Sequence, residues 1–356
     1  MNPEFWAGKS VLLTGHTGFK GSWLSLWLQK LGAQVTGYSL LPPTSPSLFE
    51  ITKVADGMIS ITGDVRDLDH LKSCLTQYRP EIIVHMAAQS LVRFSYDNPV
   101  ETYSINIIGT VNLLEAARFC KNVKVVIIVT SDKCYQEKGG DYGYRESDPL
   151  GGHDPYSSSK ACAELVTYAY RNSYTAAKNR ASAAIASVRA GNVIGGGDWA
   201  RDRLIPDILA AFMAKRPALI RNPDAVRHWQ HVLDPLNGYL SLAECLWNNS
   251  TQFAEAWNFG PKDDDAKPVS WIVDSLVKLW GNAACWERDR SGHPREAQYL
   301  KLDSTKAQTL IKWSPQLPLQ TALEWTVEWY RAYRADKNMH ELTENQINLY
   351  QKRLQK

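Results

Sequence analysis

The sequence predicts an α/β fold: a doubly wound, Rossmann-type parallel sheet followed by a smaller, mixed α/β substrate-binding unit. Three observations predict it. Short β-rich runs alternate with helical patterns from residue 10 onward. Those runs are continuously apolar, the pattern of a parallel sheet buried on both faces. A glycine-rich loop then separates the first run from the first helix.

In chain order the reading is SVLLTG as a strand, a helix near 19–31, the strands QVTGYS and MISITGD, a helix near 67–77, and the strand EIIVHMAA. A helix near 100–119, the strand VKVVIIVTS, a helix near 155–178 and the strand SAAIASVRA continue the series. After about residue 190 the rhythm breaks into Gly-, Pro- and Trp-bearing segments such as GGGDWARDRLIPD and RNPDAVRHWQHVLDP. Residues 1–190 are therefore expected to form the dinucleotide-binding unit, with return segments near 230–255 and 300–315. Residues 191–356 are expected to form mainly the substrate unit.

Composition narrows the function. Of 356 residues, 44% are hydrophobic and 22% charged, which suits a globular chain and excludes a disordered one. The formal net charge of +3 is small, and the cations are spread among acids instead of forming a nucleic-acid-binding stripe. Six cysteines without CxxC or His-Cys spacing point to reduced thiols and no metal. No apolar run approaches the roughly 18 to 20 residues that span a bilayer, and no export signal opens the chain. Cytoplasmic residence without a membrane partner is expected.

The loop TGHTGFKGSW places Gly15, Gly18 and Gly21 three residues apart, directly after a strand and before a helix. Glycines let backbone turn tightly against a pyrophosphate, whose charge meets free N–H groups at the helix N-terminus. This is a dinucleotide site. In GDVRD, Asp64 is placed to accept from an adenine amino group with Val65 against the ring, or alternatively to cap the next helix, for which Asp67 fits better. The second strand ends in Tyr38 and Ser39, with neither an acid for a ribose 2′-hydroxyl nor an Arg or Lys for a 2′-phosphate. NAD is favoured over NADP, with weak binding.

In PYSSSKACAE, Tyr156 and Lys160 stand four residues apart at a helix start, one turn apart on one face. An ammonium there, near a positively charged nicotinamide, is expected to lower the phenol's pKa and make Tyr156 a base. With the glycine loop, VVIIVTS and RAGNVIG, this motif resembles the extended short-chain dehydrogenase/reductase family over nearly the whole chain. The resemblance implies that Ser131 hydrogen-bonds the reacting sugar hydroxyl, that Tyr156 takes its proton, and that Lys160 holds the nicotinamide ribose. Asp132 and Lys133 are then surplus to hydride transfer and imply a second chemistry.

At this point the family's nucleotide-sugar 4,6-dehydratases carry an Asp-Glu pair, of which the Asp protonates the departing C6 hydroxyl and the Glu removes the C5 proton. The Asp-Lys pair here departs from that pattern. Asp132 is the implied acid. Lys133 replaces the glutamate either as a neutral base, which needs burial or a nearby cation, or as a charged stabiliser of the enolate.

The resemblance further implies cofactor contacts from Gly15, Thr17, Gly18, Phe19, Lys20, Gly21, Asp64, Val65, Ala87, Ala88, Gln89 and Thr130, besides Tyr156 and Lys160. Substrate contacts fall to Ser90, Asn192, Arg203, Arg221, Arg227 and Arg295, since arginine forks bind phosphate bidentately. The implied substrate is a nucleotide sugar, CDP-glucose, with dTDP-, GDP- or UDP-hexoses as alternatives. A nucleotide-sugar epimerase, or a catalytically silent NAD-binding sensor or scaffold, are the competing functions; joint retention of Ser131, Tyr156 and Lys160 argues against the latter. The resemblance also implies a homodimer or homotetramer, in contact through the helix near 98–119 and the one begun by Tyr156.

Overall fold

The computed structural model describes residues 1–139, 142–175, 183–281, 283–291 and 301–355. The apolar runs form one seven-stranded sheet: β1 (Ser10–Thr14), β2 (Gln34–Ser39), β3 (Ile59–Thr62), β4 (Ile82–His85), β5 (Val125–Val129), β6 (Ala184–Ala190) and β7 (Ala256–Phe259). Its order is β7-β6-β5-β4-β1-β2-β3 and every pairing is parallel. Strand order reverses between β1 and β4. Beyond the C-terminal ends of the strands at such a switch point lies the crevice where doubly wound sheets take their ligands.

The continuous apolar runs have a direct cause. Val11 and Leu13 of β1, Ile82 and Val84 of β4, and Val125 and Ile127 of β5 enter one hydrophobic layer. Leu12, Ile83, Val126 and Ile128, the residues between them, enter the other. Successive strand residues point to opposite faces, so a sheet covered on both sides favours apolar residues at consecutive positions. Each such buried side chain contributes about 1.5–3 kcal/mol.

Helices α1 (Phe19–Lys30) and α5 (Leu233–Asn248) cover the first face; α2 (Leu68–Tyr78) and α3 (Gly109–Phe119) cover the second. Between β5 and β6 the chain forms α4 (Pro155–Tyr170). Asp67 caps α2 by accepting from the His70 N–H at 2.9 Å. Asp154 caps α4 by accepting from the Ser157 N–H at 2.9 Å, with Pro155 at the first helical position. The expected helix 100–119 is a composite: Pro99–Tyr103 and α3 are joined by a π-turn over Ser104–Ile108.

The later half contributes β7, α5 and a three-stranded sheet of Ala266–Pro268, Val226–His231 and Asn192–Ile194. Buried Asp234, at the start of α5, accepts from the Gln316 N–H at 2.7 Å and the Tyr350 hydroxyl at 2.8 Å, tying the C-terminal helices to the sheet layer. Among the described residues no helix is long and apolar enough to cross a membrane.

Candidate active site

β5 ends at Val129, and the chain then turns sharply through a short 3-10 segment, Asp132–Cys134. Ser131 organises the turn: its hydroxyl accepts from the Lys133 N–H at 3.2 Å and donates to Asp132 Oδ1 at 2.9 Å. Asp132 is buried at 4% exposure, while the ammonium of half-buried Lys133 lies 4.0 Å from its carboxylate. A hydroxyl, a carboxylate and an ammonium are thus presented together where the strand meets the crevice.

α4 brings Tyr156 and Lys160 to the same place, both buried. Tyr156 hydrogen-bonds Ser131, and its backbone N–H is fixed on Ser95 Oγ at 3.1 Å. Burial raises the phenol to about 12, against the lowering effects of Ser131 and Arg203. Removing a phenolate from water outweighs those lowering effects, and the lowering expected at this position requires the charged nicotinamide as well as Lys160. The Lys160 ammonium donates to Val129 O at 3.4 Å and is itself pulled down to about 8 by burial.

The glycine loop closes the other side. Gly15 has φ +75°, and a Cβ there would lie 2.7 Å from the Ala87 nitrogen; a Cβ on Gly21 would lie 2.1 Å from Gly15 O. Gly18 opens α1 without a side-chain cap, leaving first-turn N–H groups directed outward beside Phe19. A narrow cradle of backbone donors is what a dinucleotide pyrophosphate fits. Thr17 hydrogen-bonds Ser39 Oγ at 2.9 Å and Leu40 O at 3.0 Å, pinning the loop to the end of β2.

Lys20 turns inward instead of toward solvent, donating to Tyr239 Oη at 3.0 Å. Desolvation first, then Lys160 and Arg203, lower it to about 7, with Asp132 opposing. Asp64 is engaged by Arg66, whose Nε lies 2.9 Å from Oδ2, and this ion pair holds the carboxyl below its usual range. Val65 is buried in the sheet layer at 4% exposure. Ala87 hangs on Thr14 Oγ1 through its N–H at 3.2 Å, with Ala88 next in chain. The Gln89 side chain donates to Leu91 O and to Thr102 Oγ1. The Thr130 hydroxyl is committed to Glu164 at 2.5 Å.

Two residues expected at the substrate meet directly: Arg203 Nη2 donates to Ser90 Oγ at 2.8 Å, while its Nη1 bonds Asp198 at 3.0 Å. Arg203 also interacts electrostatically with Tyr156. Arg221 and Arg93 converge on Asp202, at 2.8 and 3.6 Å. Arg227 donates to Val226 O, on the strand paired with the one that starts at Asn192. Arg295 lies outside the described residues.

Tyr239, Arg93 and Asp198 were not singled out in the sequence. Tyr239 lies within the amphipathic helix α5, and nothing local marks it. Arg93 lies three residues after Ser90 in the run SLVRFSYD, and that proximity is the available signal.

Residues 12–254 match the family described as GDP-mannose 4,6 dehydratase. A CDP-glucose 4,6-dehydratase of Salmonella typhimurium is 52% identical over 98% of this chain and 98% of its own length. A probable dTDP-glucose 4,6-dehydratase of Sinorhizobium fredii is 25% identical over 90% of this chain and 92% of that protein. Among solved structures, MoeE5 in complex with UDP-glucose and NAD superposes with a TM-score of 0.77 at 25% identity, covering 91% of this chain and 99% of that one. The chain therefore belongs to the GDP-mannose 4,6 dehydratase family, within the extended short-chain dehydrogenases/reductases.

Proposed function

We propose that this chain removes water from CDP-glucose to give CDP-4-keto-6-deoxyglucose, a hydro-lyase reaction with NAD as resident cofactor. The observation that carries the reading is the buried Asp132 carboxylate, with Lys133 beside it, linked through Ser131 to Tyr156. The near-full-length match to the Salmonella enzyme supports the choice of CDP-glucose.

NAD, when bound, would supply the hydride acceptor for oxidation at C4 and the hydride donor for C6. Its cradle is Gly15 to Gly21, and the absence of an Arg or Lys at Ser39 favours NAD over NADP. Tyr156 takes the C4 hydroxyl proton while Ser131 holds that oxygen and Lys160, charged at neutral pH, fixes the ribose. The resulting ketone acidifies the C5 hydrogen. Lys133 removes that proton or stabilises the enolate, and Asp132 protonates the C6 hydroxyl as it leaves. Arg203, Arg221 and Arg227 hold the diphosphate and its base, with Asn192 and Ser90 on the sugar side.

A homodimer, or a pair of dimers, is part of the same proposal. It is supported by exposed apolar side chains on the two helices expected at the contact, Val100 at 80% and Tyr168 at 63%. Cytoplasmic residence is supported by six free thiols, which suit a reducing compartment.

The test is incubation with NAD and CDP-, dTDP-, GDP- and UDP-glucose. The expected result is a 4-keto-6-deoxy product from CDP-glucose, formed fastest among the four. Conversion of UDP-glucose to UDP-galactose, with no keto product, overturns the reading.

A further inference from the structure

Tyr156, Lys160 and Glu164 follow one another at four-residue intervals, so the third lies on the same face of α4 as the two residues already placed in the site. Glu164 is buried at 3% exposure, as is Arg189 on β6, and the two form an ion pair at 2.7 Å. A buried ion pair is a poor stabiliser compared with well-packed apolar residues of similar volume. Its connections suggest what else it does.

Glu164 accepts from the Thr130 hydroxyl at 2.5 Å and from the Ser187 hydroxyl at 2.7 Å. Arg189 sends Nη2 to Glu164 and Nη1 to the Tyr135 hydroxyl, each at 2.7 Å. Tyr135 in turn donates to Asn258 Oδ1 on β7 at 2.7 Å. Thr130 immediately precedes Ser131, and Tyr135 follows Cys134, the last residue of the 3-10 turn. The carboxylate holds the chain just before Ser131, Asp132 and Lys133; the guanidinium holds it just after.

We propose that Glu164 and Arg189 are positioning residues: a buried clamp that grips both ends of the 131–134 turn and sets the reach of Ser131, Asp132 and Lys133 into the crevice. The inference rests on the dehydratase reading. Catalytic groups displaced by about 1 Å lose about 100-fold in rate, so a clamp of this kind acts on kcat and spares KM. Its two ends serve different half-reactions. The Thr130 end leads into Ser131, which holds the C4 oxygen; the Tyr135 end closes behind Asp132 and Lys133, which perform elimination.

The clamp is cut at one end at a time, because Glu164→Gln would leave a buried charge unpaired and risk unfolding. Tyr135→Phe is expected to lower kcat about 10- to 100-fold with KM within about threefold. Reduced nicotinamide should accumulate in a single turnover with CDP-glucose, since C4 oxidation proceeds and elimination lags. Thr130→Val should slow the appearance of reduced nicotinamide itself. Thermal melts of both variants give the folded fraction for normalisation. Wild-type kcat in Tyr135→Phe overturns the proposal, as does an equal fall in both half-reactions that merely tracks lost folded protein. A wild-type chain inactive on every nucleotide sugar overturns the dehydratase reading instead, so the two failures are distinguishable.

Discussion

Tyr156 is pulled in two directions, for burial raises its phenol to about 12 while Ser131 and Arg203 lower it. It is a neutral hydrogen-bonding group until a substrate hydroxyl and the bound cofactor complete its surroundings. Tyr156→Phe keeps the ring and deletes the proton acceptor, so kcat is expected to fall about 10²- to 10⁴-fold while CDP-sugar binding changes little. Steady-state rates and equilibrium titration check this, and a near-normal kcat would move the base elsewhere. Asp132→Asn keeps the hydrogen bond from Ser131 but cannot supply a proton to the C6 hydroxyl. Reduced nicotinamide should therefore build up in one turnover with little keto product. Lys133→Met should additionally suppress exchange of the C5 hydrogen with solvent deuterium; exchange at the wild-type rate would leave Lys133 only an electrostatic role.

At the scale of elements, the β1–loop–α1 unit tolerates little added volume. A Cβ on Gly21 falls 2.1 Å from Gly15 O, a backbone atom that cannot rotate aside. Gly21→Ala should weaken NAD binding at least about tenfold, since about 1.4 kcal/mol of displacement suffices for that factor. Fluorescence titration with NAD reads it out, and an unchanged Kd would mean that the loop does not carry the pyrophosphate. This unit was legible in the sequence because its spacing is local: three glycines between a strand and a helix need no tertiary knowledge. The Tyr156–Lys160 pair was legible for the same reason. Tyr239 was not, because its contact with Lys20 joins residues from opposite ends of the large sheet's sequence. Arg203 was recognised as a ligand-facing cation, but its partner Ser90 lies on a different unit of the chain, and no periodicity reports that meeting. Glu164 could have been read as the next step after Lys160 on α4; Arg189, which gives it meaning, lies on the strand β6.

Across the whole molecule, buried titratable groups set opposing pH dependences. His85, paired with Thr14 Oγ1 at 2.7 Å, is lowered to about 3 by burial and then by Lys160. His231 is lowered to about 3 and His16 to about 4, both by burial. Below about pH 6.5 the unfolded chain protonates these rings and the fold does not, so their contribution is present above that pH and lost on acidification. Each removes about 1.4 kcal/mol per pH unit. Asp234 acts with the opposite sign. Burial raises it to about 7, so the fold holds a proton that the unfolded chain releases above about pH 4, and its contribution is present at low pH and lost as pH rises toward 7. Asp207, raised to about 6 by burial, acts with Asp234. The net slope is a competition among these groups, and the difference between a variant and the parent isolates one of them. In urea melts between pH 4.5 and 6, His85→Gln should gain on the parent by about 1.4 kcal/mol for each pH unit of acidification, whatever its baseline stability. Asp234→Asn should lose about the same amount per unit over the same range, because acidification favours the parent that can take up the proton. Parallel pH curves for His85→Gln and the parent would mean that His85 is protonated inside the fold. Its pairing with Thr14, and its place beside Lys160, would then have to be redrawn with a second cation at the floor of the crevice.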